Sequence, residues 1–359
     1  MTLKELARNA PTAFYAKTNQ TTPGHGGSNE FLDHIFPVLH DPQPIVRVCA
    51  ADALAECLKI LVDRKHRSIT GLLCQVYSNM IEGLKPQIKK KHSGGGINVG
   101  TSPPVATPET EAQQHSSLLV VSDMLLHCGN FMLPRFDEVC CAVLELTDHL
   151  KALLRLEVVR LIPRLAQLCP GGFGRRYLKD SLAFLIGSAS SAPPPRVGVD
   201  LRPAAFYSIG QLALAMSDTK GDGVTTSTIQ IVKAPSDKNE TIYYHTVDGD
   251  IYSRLEEIFA LVRSGLQKAR QTSSRGSGIG ADTRCEALHC GADLIEALGS
   301  HAEAYILDLE NDMFQSGLGD DLIACLRAIS FRVPERKVSC TFDMPLLYFD
   351  PSFMTITSN

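Results

Sequence analysis

The sequence predicts an all-α fold, an α-solenoid in which antiparallel helix pairs stack side by side. Three observations predict it. Apolar residues recur at three- and four-residue steps in successive segments, short polar turns separate many of those segments, and the aromatic share is low. Aromatics are 6 % of the 359 residues and Trp is absent, so the core rests on Leu, Ile, Val and Ala, which suits close helix contacts better than a β-sandwich. A chain of this length exceeds one compact core and forms either two domains or an elongated array.

The elements follow in order. Phe31, Leu32, Ile35, Phe36, Val38 and Leu39 mark a short helix. Asp41-Pro42-Gln43-Pro44 is a turn with proline where a helix starts. Ile45, Val46, Val48, Cys49, Ala53, Leu54, Cys57, Leu58 and Leu61 then trace one apolar face, and the short link makes the two helices a hairpin. Residues 118–126 and 136–150 read as a second pair, followed by 153–168 with 177–186. Segments 202–216, 251–266, 285–298, 304–314 and 322–333 continue the series. The total is about nine to twelve helices in about five or six repeats of the ~40–47-residue kind.

The most informative stretch runs from Asp41 to Leu54. A carboxylate at the inter-helix turn, then Val46-Arg47, then small residues along the second helix, is the pattern of HEAT and armadillo-like repeats. Asp41 is expected to cap the free N–H groups of the second helix. Arg47 is expected to reach a carboxylate of its own or the next repeat. Ala50, Ala51 and Ala53 permit close helix approach, and Leu54 and Leu58 fill the seam between repeats. Residues 202–215 place small residues and leucines similarly, and 155–168 more weakly.

Three stretches interrupt the array. Residues 18–29 and 91–117 are rich in Gly, Ser, Thr and Pro and are predicted to be disordered loops. Within an insertion at 217–250, residues 228–233 and 240–247 alternate in the manner of a small β-hairpin.

The formal net charge is −4, which leaves no basic footprint for nucleic acid. Lys89-Lys90-Lys91-His92 reads as the solvated end of a linker. Eleven cysteines, with no CxxC pair and no regular spacing, indicate a reducing compartment, cytosolic or nuclear. Cys49, Cys57, Cys128 and Cys169 read as small hydrophobes within helices. The N-terminus is not a signal peptide, and no apolar run reaches the roughly 18 residues of a membrane span.

No catalytic, cofactor or metal site is expected. Ser122, Asp123 and His127 hold the letters of a nucleophile set, but a helix turns Ser122 away from the face shared by the other two. Cys285 and His289 share a helical face without further ligands at suitable spacing. Gly276-Ser277-Gly278-Ile279-Gly280 lacks the strand and the Lys-Ser/Thr ending of a nucleotide loop. Gly171-Gly172-Phe173-Gly174 reads as a helix break.

Particular segments resemble the N-terminal HEAT-repeat region of the target-of-rapamycin kinases, within the PI3K-related kinase family. They are Leu3-Lys4-Glu5-Leu6-Ala7 with Pro11-Thr12-Ala13-Phe14, residues 41–61, Leu161-Ile162-Pro163-Arg164-Leu165-Ala166, and Tyr177-Leu178-Lys179-Asp180. Arg202-Pro203-Ala204-Ala205-Phe206, Leu294-Ile295-Glu296-Ala297-Leu298-Gly299 and residues 317–334 continue it in the same order. The resemblance implies a superhelical scaffold that binds a Raptor-like regulatory subunit and the rest of a Ser/Thr kinase chain in nutrient and growth signalling. It implies a cytoplasmic location, with peripheral association to endomembranes within a complex left open. It brings no catalytic residue, because the kinase, rapamycin-binding and FAT segments have no counterpart here. The alternatives are an unrelated HEAT adaptor, such as a transport receptor or phosphatase scaffold, and a helical enzyme with an unrecognised site.

The solenoid is assigned to residues 1–337. Residues 338–359 depart from the resemblance into a non-helical mixture. They open on Val338-Ser339, which a splice donor beginning GT-AG encodes when read through. The expectation is retained intron sequence in a truncated gene model. Sequencing the transcript checks it: continuous message through Asn359, with no longer spliced form, refutes the intron reading.

Overall fold

The computed structural model describes residues 2–13, 30–64, 69–85, 107–192, 198–217, 249–273, 279–315 and 319–333. The principal helices are α1 (Thr2–Asn9), α2 (Glu30–Leu39), α3 (Pro44–Asp63), α4 (Ile69–Leu84), α5 (Pro108–His127), α6 (Phe136–Leu144) and α7 (Ala152–Leu168). They continue as α8 (Leu178–Ser190), α9 (Arg202–Met216), α10 (Leu255–Ser273), α11 (Ile279–Leu298), α12 (Glu303–Phe314) and α13 (Asp320–Arg332). Shorter helical turns at Gly129–Met132, Leu133–Arg135 and Pro170–Arg176 join some of them, and no strand occurs among the described residues.

The packing order gives the architecture. Helices α3, α5, α7, α9, α11 and α13 each touch the next in the row. A second row covers them: α2 lies on α3, α4 on α5, α6 on α7, α8 on α9 and α10 on α11, with α12 against α10. The result is a two-layer α-solenoid. One cluster of buried apolar side chains runs without a break from Ile35 to Val333. It includes Leu54, Leu118, Ile162, Phe206, Leu294 and Ile329, each exposed by no more than 1 %, so the seam lies between hairpins rather than around a closed centre.

The pairing differs from the sequence reading by one helix. Residues 118–126 and 136–150 are not partners: α5 closes a hairpin opened by α4, and α6 opens the next one with α7. Likewise 177–186 pairs forward with α9 rather than back with 153–168. The cause is α4, which that reading left out. Its apolar residues Leu73, Val76, Tyr77, Met80, Ile81 and Leu84 are all buried.

Helix α5 also starts well inside the loop expected at 91–117. Thr107 accepts a hydrogen bond from the Thr110 amide at 3.3 Å, Pro108 occupies the first turn, and Glu109 and Glu111 meet the positive end of the helix. Gln114, His115, Ser116 and Ser117 are buried as a consequence. Residues 18–29, the alternating segments 228–233 and 240–247, and the tail 338–359 lie outside the described residues.

Two glycines show backbone demands. Gly299, at φ +56°, ends α11 in the left-handed region. Gly210 lets α9 close on α11: an added Cβ would lie 3.1 Å from the Cys290 Cα and 2.8 Å from the Asp293 Cβ. Gly210→Ala should therefore cost about 1–3 kcal/mol of stability in urea unfolding, because the clash is partly with backbone. Gly187→Ala, where a Cβ meets nothing within 4 Å, should cost nothing or stabilise slightly.

Candidate functional site

Arg47 enters the inner row at the start of α3 and is only 4 % exposed. Its Nη1 donates to the main-chain carbonyls of Asp41 at 2.7 Å and Pro42 at 3.0 Å, and its Nε donates to Nδ1 of His115 on α5 at 3.1 Å. The partners are therefore the turn carbonyls and a neighbouring imidazole, not the carboxylate that sequence suggested. The reason lies in the turn: Pro42 and Pro44 leave its carbonyls unpaired by a helix, and a five-donor guanidinium satisfies two of them at once. Asp41 also differs from expectation. Its Oδ1 accepts from the Gln43 amide at 2.8 Å, ordering the turn, while Gln43 is the N-cap residue of α3 and makes no side-chain cap. Ala50, Ala51 and Ala53 are buried beside Leu54 and Leu58 along the same helix.

His115 accepts from a cation, so its imidazole must be neutral. Burial first, then the charges of Arg47 and Arg160, push its pKa down to about 4. Burial also lowers the Arg47 pKa, and the Asp41 carboxylate offsets part of that.

Beyond this stitch the inner row forms a groove of about 680 Å³ across α3, α5, α7, α9 and α11. Its charged lining is Asp52, Asp123, Glu157 and Glu286 against Arg160 and Arg164. Arg160 donates to Glu157 at 2.9 Å, and Arg164 donates to the Ser122 hydroxyl. Asp52 is paired with Lys4 of α1 at 2.6 Å. Asp123 is pushed up to about 7 by burial and then by the Asp52 charge, against the pull of Arg164 and Lys4. Val48, Leu126 and Tyr207 bring exposed apolar surface to the same groove, and Leu126 is 62 % exposed.

The triad letters are not assembled. Ser122 is held by Arg164, and burial lowers the pKa of His127. His289 is engaged by Asp321 of α13 at 2.6 Å, and Cys285 is half-buried. No group of three or more His, Cys, Asp or Glu side chains placed to hold a metal occurs among the described residues. Cys57 and Cys128 are buried, whereas Cys49 and Cys169 are half-buried. The Gly171–Gly174 run lies in the short helix Pro170–Arg176, which seats Phe173 in the core. The residues 276–278 of the other glycine-rich run lie outside the described residues.

Comparison with curated proteins places this arrangement. The serine/threonine-protein kinase TOR of Arabidopsis thaliana is 26 % identical over 332 residues, which is 92 % of this chain and 10 % of that kinase. The chain is similar to target-of-rapamycin kinases over most of its length. The TOR kinase of Oryza sativa subsp. japonica is 27 % identical over 349 residues, 94 % of this chain and 11 % of its own length. The tor1 kinase of Schizosaccharomyces pombe is 24 % identical over 216 residues, 60 % of this chain. The chain thus spans about a tenth of the length of the TOR kinases it matches. No protein-family model matches it. Among the described residues no single helix is long and apolar enough to cross a membrane.

The His115 geometry fixes a pH response. Its folded pKa of about 4 lies below the ordinary 6.5, so between those values the unfolded chain binds a proton that the folded chain excludes. The stability it lends is present above pH 6.5 and is lost as pH falls toward 4. Asp123, raised from 3.8 to about 7, acts in the opposite direction across all of that range. Comparison with His115→Gln isolates the histidine: wild type should lose about 3 kcal/mol relative to the variant between pH 7 and pH 4. Urea unfolding across that range measures it, and a constant difference refutes the neutral, cation-facing imidazole.

Proposed function

We propose that this chain is an N-terminal HEAT-repeat scaffold segment of a TOR-like Ser/Thr kinase, and that its role is to hold regulatory subunits rather than to catalyse. The observation that carries this reading is the extent of the similarity. It covers nearly all of this chain but only about a tenth of each plant kinase, and the matched stretch is a helical array with an open groove.

On this reading the chain lacks the kinase domain, and phosphoryl transfer belongs to other parts of the protein. The partner is a Raptor-like subunit, met on the surface of the helical rows within a cytoplasmic complex. An array of this kind suits that work because each hairpin buries its apolar face against its neighbours and leaves a long continuous surface outside. Arg47 does not belong to that surface, since the fold buries it.

The test is cross-linking mass spectrometry on the tagged full-length gene product, purified with its partners. Lys59, Lys151 and Lys179 are exposed on or beside the rows and report on this segment. The expected result is cross-links from them to a co-purified regulatory subunit. A recovered subunit whose cross-links fall only on other parts of the kinase chain overturns the scaffold reading.

A further inference from the structure

The starting observation is how α1 is held. This eight-residue helix lies on α3 with Lys4 on Asp52 at 2.6 Å and Arg8 on Glu56 at 2.8 Å. The basic pair is four residues apart on α1, and the acidic pair is four residues apart on α3, so one helical face meets another in register. Beside the ion pairs Ala7, 2 % exposed, belongs to a small apolar cluster with Cys57, Ile60 and Leu61. A short basic amphipathic helix, with a small residue at its contact face, is therefore what this end of the inner row binds.

The groove continues from that contact. Asp52 belongs to both, and the Lys4 charge is felt by Asp123 in the groove. Along its length Asp52 is paired with Lys4 and Glu157 with Arg160, and Asp123 and Glu286 stand against Arg164, an excess of one carboxylate. The groove adds apolar surface of larger size: Val48 on α3, Leu126 on α5 and Tyr207 on α9 are 36 %, 62 % and 48 % exposed. Three exposed apolar side chains lining one trough are unusual for a face that meets only water. A trough that crosses the successive helices of the inner row fits a helix laid along it, with apolar residues at i, i+3, i+4 and i+7.

We propose that the groove docks a basic amphipathic helix from a partner protein, extending the mode by which α1 sits on α3. The proposal rests on the scaffold reading and names its surface. Leucine-sized residues of the partner meet Leu126, Tyr207 and Val48, and its Lys or Arg residues meet the carboxylate side of the trough. The ion pairs orient the helix and speed its encounter, and the desolvated apolar contacts supply most of the affinity.

The experiment uses the full 359-residue chain. The probe is a fluorescent 14-residue helical peptide with a leucine stripe and two lysine pairs at i, i+4. Its counterpart has the same stripe with glutamate for lysine. Fluorescence anisotropy should show at least tenfold tighter binding of the basic peptide, with the preference shrinking as salt rises. Leu126→Ser with Tyr207→Ser should weaken binding at least tenfold. Both positions are exposed enough for the fold to persist, and an unchanged thermal melt confirms it. Equal binding of the two peptides, no binding at all, or full binding by the double variant overturns the proposal. Sedimentation in the same buffers adds a third arm. Self-association that the basic peptide dissolves assigns the groove to α1 of a second copy and overturns the partner assignment. Failure in any arm leaves the scaffold reading standing, because that is decided by cross-links in the complete kinase.

Discussion

The constraint on which this structure depends is that no helix pair here buries its own apolar face. Helix α9 shows it plainly. It presents Ala205, Phe206, Ile209, Leu212 and Ala213 to neighbours in front, behind and above, and all are buried. Phe206 reaches the space beside Gly265 on α10, where an added Cβ would meet its ring and the Ala287 Cβ. Stability therefore accrues at interfaces between successive hairpins, and each hairpin is only as ordered as those beside it.

Apolar seams of Leu, Ile and Ala are largely interchangeable, so something else must set which helix meets which, and at what height. Polar contacts along the inner row do that. Arg47 ties the first turn to His115 one hairpin on, the Ser208 hydroxyl donates to the Val159 carbonyl at 2.8 Å, and Gln211 donates to Asp293 at 2.9 Å. Each link joins consecutive members of the inner row: α3 to α5, α7 to α9, and α9 to α11. Such groups add modest net stability, but a slipped register would leave them buried without partners, at about 1–3 kcal/mol each. Their value is in excluding wrong stackings.

Much of the fold was legible in the sequence for the same reason. The stretch from Asp41 to Leu61 carries its hairpin in local signals, and those act over three or four residues. The stripe of α4 was equally legible in principle, at Leu73, Val76, Met80 and Leu84, and missing it displaced the pairing of later helices by one. The start of α5 was hidden by composition. Its glycine- and proline-rich approach reads as loop, although Thr107-Pro108-Glu109 is a capping signal. The His115 partner of Arg47 could not be read locally, because it is 68 residues away. The groove was only partly legible. Within one helix its lining residues share a face, as Leu119, Ser122, Asp123 and Leu126 do on α5 and Glu157, Arg160, Arg164 and Gln167 do on α7, but which faces come together depends on how the five helices stack.

The polar groups of the groove are largely committed to one another. Here Arg164 is committed to Ser122, Arg160 to Glu157, and Lys4 to Asp52, so three of the polar groups are already held by a neighbour. Asp123 is the exception, a carboxyl held near neutrality by burial between Asp52 and Arg164. Its ionisation would place a second negative charge beside Asp52. A cation brought to that point would relieve the repulsion, just as Lys4 relieves it at the edge. The electrostatics of the trough thus favour the arrival of positive charge, and they do so through the same carboxylate pair that anchors α1.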